Sequence, residues 1–340
     1  MATLYLVDQG ASANLDGERI VIQHDDTELG SVPLMKITDV VIFGNVMLTT
    51  PLLRRLLDQG VELSFLTTRG RYQGRLIGAA SPHVDLRREQ YRRADDTAWA
   101  LVLAQTIVAG KLRNCRALLQ RFARNRSSVD AEVPATIEAL GDALHRVDRT
   151  TRVSALLGVE GSATARYFRG LRALFDPQWN FTDRNRRPPT DPVNAVLSFG
   201  YTVLLHKILG AVQAVGFDPY LGYLHQPDYH RPALALDMIE EFRPLIIDSL
   251  VLRCCSDGRL TPDDFSEGDA ESRYAVRMSD DAKRRFLTAF EERLRIKLTH
   301  PEGADRGPGE VDYYRCFELQ ARRLARAVRG GALYQPLVTR

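Results

Sequence analysis

The sequence predicts an α+β protein: a small β-rich N-terminal domain over residues 1–88, then a larger all-α helical domain over 89–340. Three observations predict it. The first 80 residues run in short apolar or alternating segments bounded by turn residues. From about Leu86 the apolar residues recur at three- and four-residue spacing instead. The length, 340 residues, suits two domains at roughly 100–200 residues each.

Strands are expected at Thr3–Val7, Arg19–Gln23, Val40–Phe43 and Glu62–Leu66, with Asp16-Gly17 as a hairpin turn. One helix interrupts them: Thr49 can cap it, Pro51 suits its first turn and Gly60 ends it. Beyond Leu86, the positions Leu101, Ile107, Val108, Leu112, Leu118 and Leu119, then Ile137, Leu140 and Leu144, mark helices. Pro177, Pro188-Pro189, Pro219, Pro227 and Pro262 break the helical texture. Ser256–Met278 is polar and reads as a mobile loop, as does Gly303–Gly309 with its Gly-Pro-Gly. The domain boundary is expected near residues 80–90.

Composition narrows the class. Hydrophobic residues make up 44% and charged residues 26%, as in ordinary globular proteins. Thr97–Gly110 reads as the best uncharged run, too short for a membrane span. The first residues lack the basic-then-apolar order of a signal peptide, and together these features point to the cytoplasm. The four cysteines form no Cys-x-x-Cys pair, which disfavours a zinc site or a disulfide framework. Net charge is only +3, but it is uneven: residues 1–90 carry −2 and the remainder +5. Thr97–Val129 holds Lys111, Arg113, Arg116, Arg121, Arg124 and Arg126 without an acid. Such a run favours a phosphate backbone; a solvated helix face is the alternative.

Three segments carry candidate chemistry. Glu160 stands in LGVEGSA, where small residues let a ligand approach, although by the local sequence alone an exposed helix glutamate beside glycines is the better fit. His225 ends GFDPYLGYLH, delivered by a turn, with His206 and His230 as rivals for the same task. Asp237 and Glu240 share one face of an otherwise apolar helix, three residues apart, and Arg243 lies three further on. An internal acid–arginine network is the structural alternative there. Together, carboxylates and one imidazole suit Mg²⁺ or Mn²⁺ and hence phosphoryl transfer. No phosphate-binding P-loop, His-Glu-x-x-His, Glu-x-x-His or Gly-x-Ser-x-Gly occurs. Pro262-Asp263 with Asp281-Ala282-Lys283 resembles a restriction-nuclease signature, but Ser279–Arg295 reads as a helix rather than strands.

These blocks, in this order, resemble the CRISPR-associated integrase, the larger protein of the spacer-acquisition pair. The resemblance rests on LGVEGSATARYF (157–168), RNRRPPTDPVNAVLSFGY (184–201), GFDPYLGYLH (216–225) and LALDMIEEFRP (234–244), with GKLRNCRALL (110–119) similar to the family's first long helix. It implies a homodimer joined through the N-terminal domains, flanking a dimer of the small partner protein. It implies DNA as substrate, with a 3′-hydroxyl of foreign DNA attacking a repeat phosphodiester, and metal-dependent nuclease activity. By position it assigns Glu160, His225 and Glu240 as metal ligands and Asp237 as a further essential acid. It places Arg243 near phosphate and Tyr201 close to the site, where a packing role serves as well. Arg121, Arg124 and Arg126 are expected to hold DNA. Two other readings stand beside it: a non-catalytic DNA-binding scaffold, and a stand-alone hydrolytic repair nuclease.

Overall fold

The computed structural model of the chain describes every residue except 1, 26, 69, 71, 77, 79–82, 125, 127, 186, 187, 227, 229, 230, 268–275, 305, 306 and 340. Two compact units make up the chain, Met1–Ser81 and Pro82–Arg340.

The first unit contains β1 (Ala2–Leu6), β2 (Ser12–Asp16), β3 (Arg19–His24), β4 (Thr27–Pro33), β5 (Ile37–Phe43), β6 (Met47–Leu48), α1 (Thr50–Asp58), β7 (Glu62–Leu66) and β8 (Tyr72–Leu76). They form two four-stranded sheets, ordered β1-β5-β7-β8 and β4-β3-β2-β6. In the first, β1, β5 and β7 run parallel and β8 is antiparallel. Asp16 pairs with Arg19, so β2 and β3 are joined by the two-residue turn Gly17-Glu18, with Gly17 at φ +55°. Leu6, Ala13, Ile20, Ile42, Leu52, Leu56 and Leu63 bury together, so strand alternation and the apolar stripe of α1 supply one core. Thr49 caps α1 through its backbone conformation, without a side-chain hydrogen bond.

The second unit contains α2 (Val84–Asp95), α3 (Thr97–Arg124), α4 (Glu132–Val147), α5 (Val153–Arg172), α6 (Pro192–Val215), α7 (Ala233–Phe242), a π-helical segment (Arg243–Asp248), α8 (Ser249–Ser256), β9 (Phe265–Glu267), β10 (Val276–Met278), α9 (Asp280–Leu294), β11 (Leu298–Ala304), β12 (Gly307–Val311) and α10 (Tyr313–Val328). Its central rod is α3. Leu103, Ile107, Leu112, Cys115 and Leu118 bury one side of it, against α4, α5, α7 and the π-helical segment. All four cysteines are buried and free.

Three expectations need correction. Of the Gly303–Gly309 segment, residues 305 and 306 lie outside the described residues and the rest is strand rather than loop: β11 and β12 pair antiparallel, with His300 opposite Gly309. The glycines serve close approach, since a Cβ on Gly309 would lie 2.7 Å from the Ala304 nitrogen. Within Ser256–Met278, the polar run expected to be a loop, Phe265–Glu267 pairs with Val276–Met278 as a second hairpin. The helical domain is therefore not purely α. And the most apolar helix is α6 rather than the start of α3. It has a mean hydropathy of 1.6, enough for a membrane span by composition, but 67% of that window is buried inside the protein, as in a core helix.

Candidate active site

Glu240 and Glu160 come from different helices, α7 and α5, and one lysine of α3 joins them. Lys111 Nζ pairs with Glu160 Oε1 and lies 2.7 Å from Glu240 Oε2. The lysine side chain is 6% exposed and that of Glu240 3%. Arg243 Nη1 lies 3.0 Å from the other Glu240 oxygen, and Thr164 donates a 2.8 Å hydrogen bond to Glu160. Burial alone would raise Glu240, but Arg243, Lys111 and His225 outweigh it and hold the carboxyl at about 2. Glu160 is likewise held below its ordinary value: burial opposes ionisation, and Lys111 overrides it. Burial pulls Lys111 down and the two carboxylates push it up further, so it stays charged.

His225 is set by Asp237, one turn before Glu240 on α7. Asp237 is wholly buried. Its Oδ2 accepts from the backbone N–H groups of Tyr223 (2.6 Å) and Leu224 (3.0 Å). Its Oδ1 accepts from His225 N at 2.9 Å and meets His225 Nδ1 at 2.8 Å. One carboxylate therefore orders the loop before α7 and turns the remaining ring nitrogen of His225 away from itself. Gly222 makes room: a Cβ there would sit 2.8 Å from Asp237 Oδ2. Gln90 of α2 secures the same loop through the Asp218 and Leu221 carbonyls, at 2.7 and 2.9 Å. His206 lies buried in α6, and His230 falls outside the described residues.

The wall beyond Arg243 is aromatic and acidic. Its guanidinium lies over the Tyr201 ring, 5.0 Å from the centroid, and that of Arg184 lies 5.5 Å from the same ring. Tyr201 and Tyr167 donate to the two oxygens of Asp248, at 2.5 and 2.7 Å. Burial pushes Asp248 up to about 6 despite both hydroxyls. Lys111, Arg184, Tyr167 and Asp248 were not picked out as site residues from the sequence. Arg124 and Arg126 do not join the cluster: Arg124 donates to its own helix and Arg126 to the Leu174 carbonyl. Arg121 is ten residues beyond Lys111, about 15 Å along the helix.

The residues suit a divalent cation. Glu240 Oε2 is buried and, although close to Lys111, makes no hydrogen bond of acceptable geometry. Two hard carboxylates and an imidazole backed by a buried carboxylate form a donor set of the kind Mg²⁺ or Mn²⁺ takes. Among the described residues, three such side chains do not already converge on one point. Lys111 supplies the positive charge between the carboxylates.

The family model described as "CRISPR associated protein Cas1" matches residues 4–292. A CRISPR-associated endonuclease Cas1 of Thermus thermophilus is 37% identical over 98% of this chain and 98% of its own length. A CRISPR-associated exonuclease Cas4/endonuclease Cas1 fusion of Geobacter sulfurreducens is 36% identical over 99% of this chain, which spans 60% of that fusion. Among solved structures, a chain of a Cas6-RT-Cas1–Cas2 complex is 25% identical with a TM-score of 0.83, covering 100% of this chain and 36% of that one. The strand-rich unit followed by a mostly helical one, and the match along nearly its whole length, place the chain in the Cas1 family of CRISPR-associated proteins.

Proposed function

We propose that this chain is a divalent-metal-dependent DNA endonuclease and integrase of CRISPR spacer acquisition, with Glu160, Glu240 and His225 as metal ligands. The observation that carries the reading is the pair of carboxylates brought from separate helices to one buried positive charge, the Lys111 ammonium, with His225 close enough to act on Glu240. A bound Mg²⁺ or Mn²⁺ would screen the phosphate and stabilise the oxygens that attack and leave. Asp237 orients His225, and Arg243 is the guanidinium that would meet a phosphate oxygen. In strand transfer a 3′-hydroxyl loses its proton and bonds to phosphorus, while the opposite P–O bond breaks and its oxygen takes up a proton.

Partners follow from the same reading: DNA, a second copy of the chain, and the small protein whose counterpart is named in the Cas1–Cas2 complex. Exposed Met35 and Met47 on the strand-rich unit suit dimerisation there. Such a substrate is met in the cytoplasm. One observation favours the non-catalytic scaffold instead: Lys111 and Arg243 already neutralise the acids.

Strand transfer separates the two. Glu160→Gln, Glu240→Gln and His225→Ala should each lower metal-dependent cleavage and joining of repeat DNA by about 100-fold or more, with DNA affinity within a few-fold of the parent. Chelation should reproduce the loss and Mn²⁺ should restore only the parent. Full activity in Glu160→Gln, with an unchanged melt, would leave the scaffold reading standing.

A further inference from the structure

Residues 331–339, beyond α10, form neither helix nor strand, yet Tyr334 and Leu337 are buried. A buried carboxylate and a buried amide hold them. Glu241 on α7 accepts from the Tyr334 hydroxyl at 2.9 Å and from Gln320 Nε2 at 3.0 Å through one oxygen, and from the Leu337 N–H at 2.8 Å through the other. Asn114 on α3 donates to the carbonyls of Glu241 and Leu337, both at 2.8 Å, and accepts from the Thr339 N–H at 3.2 Å. Pro336 lies on Gly110 of α3, where an added Cβ would meet its ring at 2.5 Å. His300 fixes Gln320: its Nδ1 accepts from the Glu302 N–H, so its Nε2–H donates to the Gln320 side-chain oxygen at 3.0 Å.

These contacts fall beside the carboxylate cluster. Gly110 and Asn114 flank Lys111 on α3, one residue before it and three after, and Glu241 follows Glu240 on α7. The two helices are thus tied at the turns that bring Lys111 Nζ within 2.7 Å of Glu240. Burying Asn114 and Glu241 between helices is costly unless their polar atoms find partners. The Leu337 amide and carbonyl and the Thr339 N–H supply partners that neither helix offers. Apolar residues at both positions would pack the helices without that segment. Directional bonds do what apolar packing does not: a shift along either helix axis breaks several of them at once.

We infer that residues 334–339 act as a strap that sets the register of α3 against α7, with Asn114 and Glu241 as positioning residues for Lys111 and Glu240. Its consequence for metal binding rests on the reading of Glu240 as a ligand. A ligating carboxylate must be held within about 0.5 Å of its working position. A displaced strap therefore weakens the metal site while every ligand is still present in the chain.

Gly110→Ala tests the strap without touching a hydrogen-bonding side chain: the methyl pushes Pro336 away, and alanine favours the helix it enters. Mn²⁺ binding to the full chain without DNA, read by electron paramagnetic resonance of the free ion, should weaken by about 10-fold or more. Amide hydrogen exchange at Leu337 and Thr339 should quicken in the same variant. Asn114→Ala should act alike on both counts. Gly110→Ala/Pro336→Gly, which removes the colliding ring, should recover Mn²⁺ affinity. Leu260→Ala, a buried change in the loop after α8, should lower the melting temperature and leave Mn²⁺ affinity alone. Faster exchange in the strap with Mn²⁺ affinity equal to the parent's would overturn the inference and leave the functional reading intact. So would an equal weakening in Leu260→Ala, which would put the effect down to stability. Exchange and affinity unchanged in both Gly110→Ala and Asn114→Ala would show that these contacts hold no strap. A parent that neither binds Mn²⁺ nor cleaves DNA would overturn the functional reading and the positioning role together.

Discussion

Lys111 stands 49 residues before Glu160 in the sequence; in space its ammonium decides whether two carboxylates can share a buried face. Removing one member of a buried charge cluster leaves the others uncompensated, at about 3–5 kcal/mol. Lys111→Met should therefore lower stability by about that much in chelator, read by urea denaturation. Mn²⁺ should recover part of the loss, because a divalent cation restores the missing charge between Glu160 and Glu240. A variant as stable as the parent without metal would show that the lysine does not balance the pair. In the sequence, Lys111 counted only as one member of a basic run, for nothing local distinguishes a buried lysine from a solvated one. Asp248 was missed for a related reason: its partners Tyr201 and Tyr167 are 47 and 81 residues away. Glu160, His225, Asp237 and Glu240 were legible because they sit in recognisable blocks, not because their neighbours revealed burial.

At the scale of elements, the loop before α7 is the part most exposed to small changes. Gly222 lies against the Ala233 backbone and Asp237, and the backbone donors of Tyr223 and Leu224 reach Asp237 only because no side chain intervenes. Gly222→Ala should cost about 1–3 kcal/mol, as overpacking does, and should displace His225 along with the loop. The expected reading is a lower urea midpoint together with metal-dependent cleavage reduced by more than the unfolded fraction explains. Stability and cleavage both equal to the parent would show that the loop shifts freely and that the glycine does not position the histidine. The helix before this strand-rich unit's β7 was legible from Pro51 and Gly60, which punctuate it at both ends. The strands β4 and β8 were not. Each lies at a sheet edge, where polar residues and glycine are tolerated and alternation fades. The β11–β12 hairpin was hidden for the opposite reason: its glycines look like loop residues, yet they let two strands come close.

For the molecule as a whole, the acids of the larger unit set how stability depends on pH, and they pull in opposite directions. Glu160 and Glu240 are held below their ordinary values, so their contribution is present above the usual carboxylate range and is lost as pH falls through it. Asp248 behaves in reverse. Burial raises it from 3.8 to about 6, so the folded state holds its proton more tightly than the unfolded chain does. Its contribution is fully present below pH 3.8 and is lost as pH rises to about 6. At 1.36 kcal/mol per unit the difference amounts to about 3 kcal/mol at most. Asp248→Asn keeps the shape and can still bond both tyrosine hydroxyls, but it does not titrate. Relative to this variant, the parent should lose about 2–3 kcal/mol between pH 4 and pH 7, with Glu160 and Glu240 common to both proteins and cancelling. Both tryptophans, Trp99 and Trp179, lie in the larger unit, so their fluorescence during urea unfolding follows that unit alone. If the difference between parent and variant stays constant from pH 4 to pH 7, Asp248 is ionised in the folded protein throughout, and the two tyrosine hydroxyls outweigh its burial.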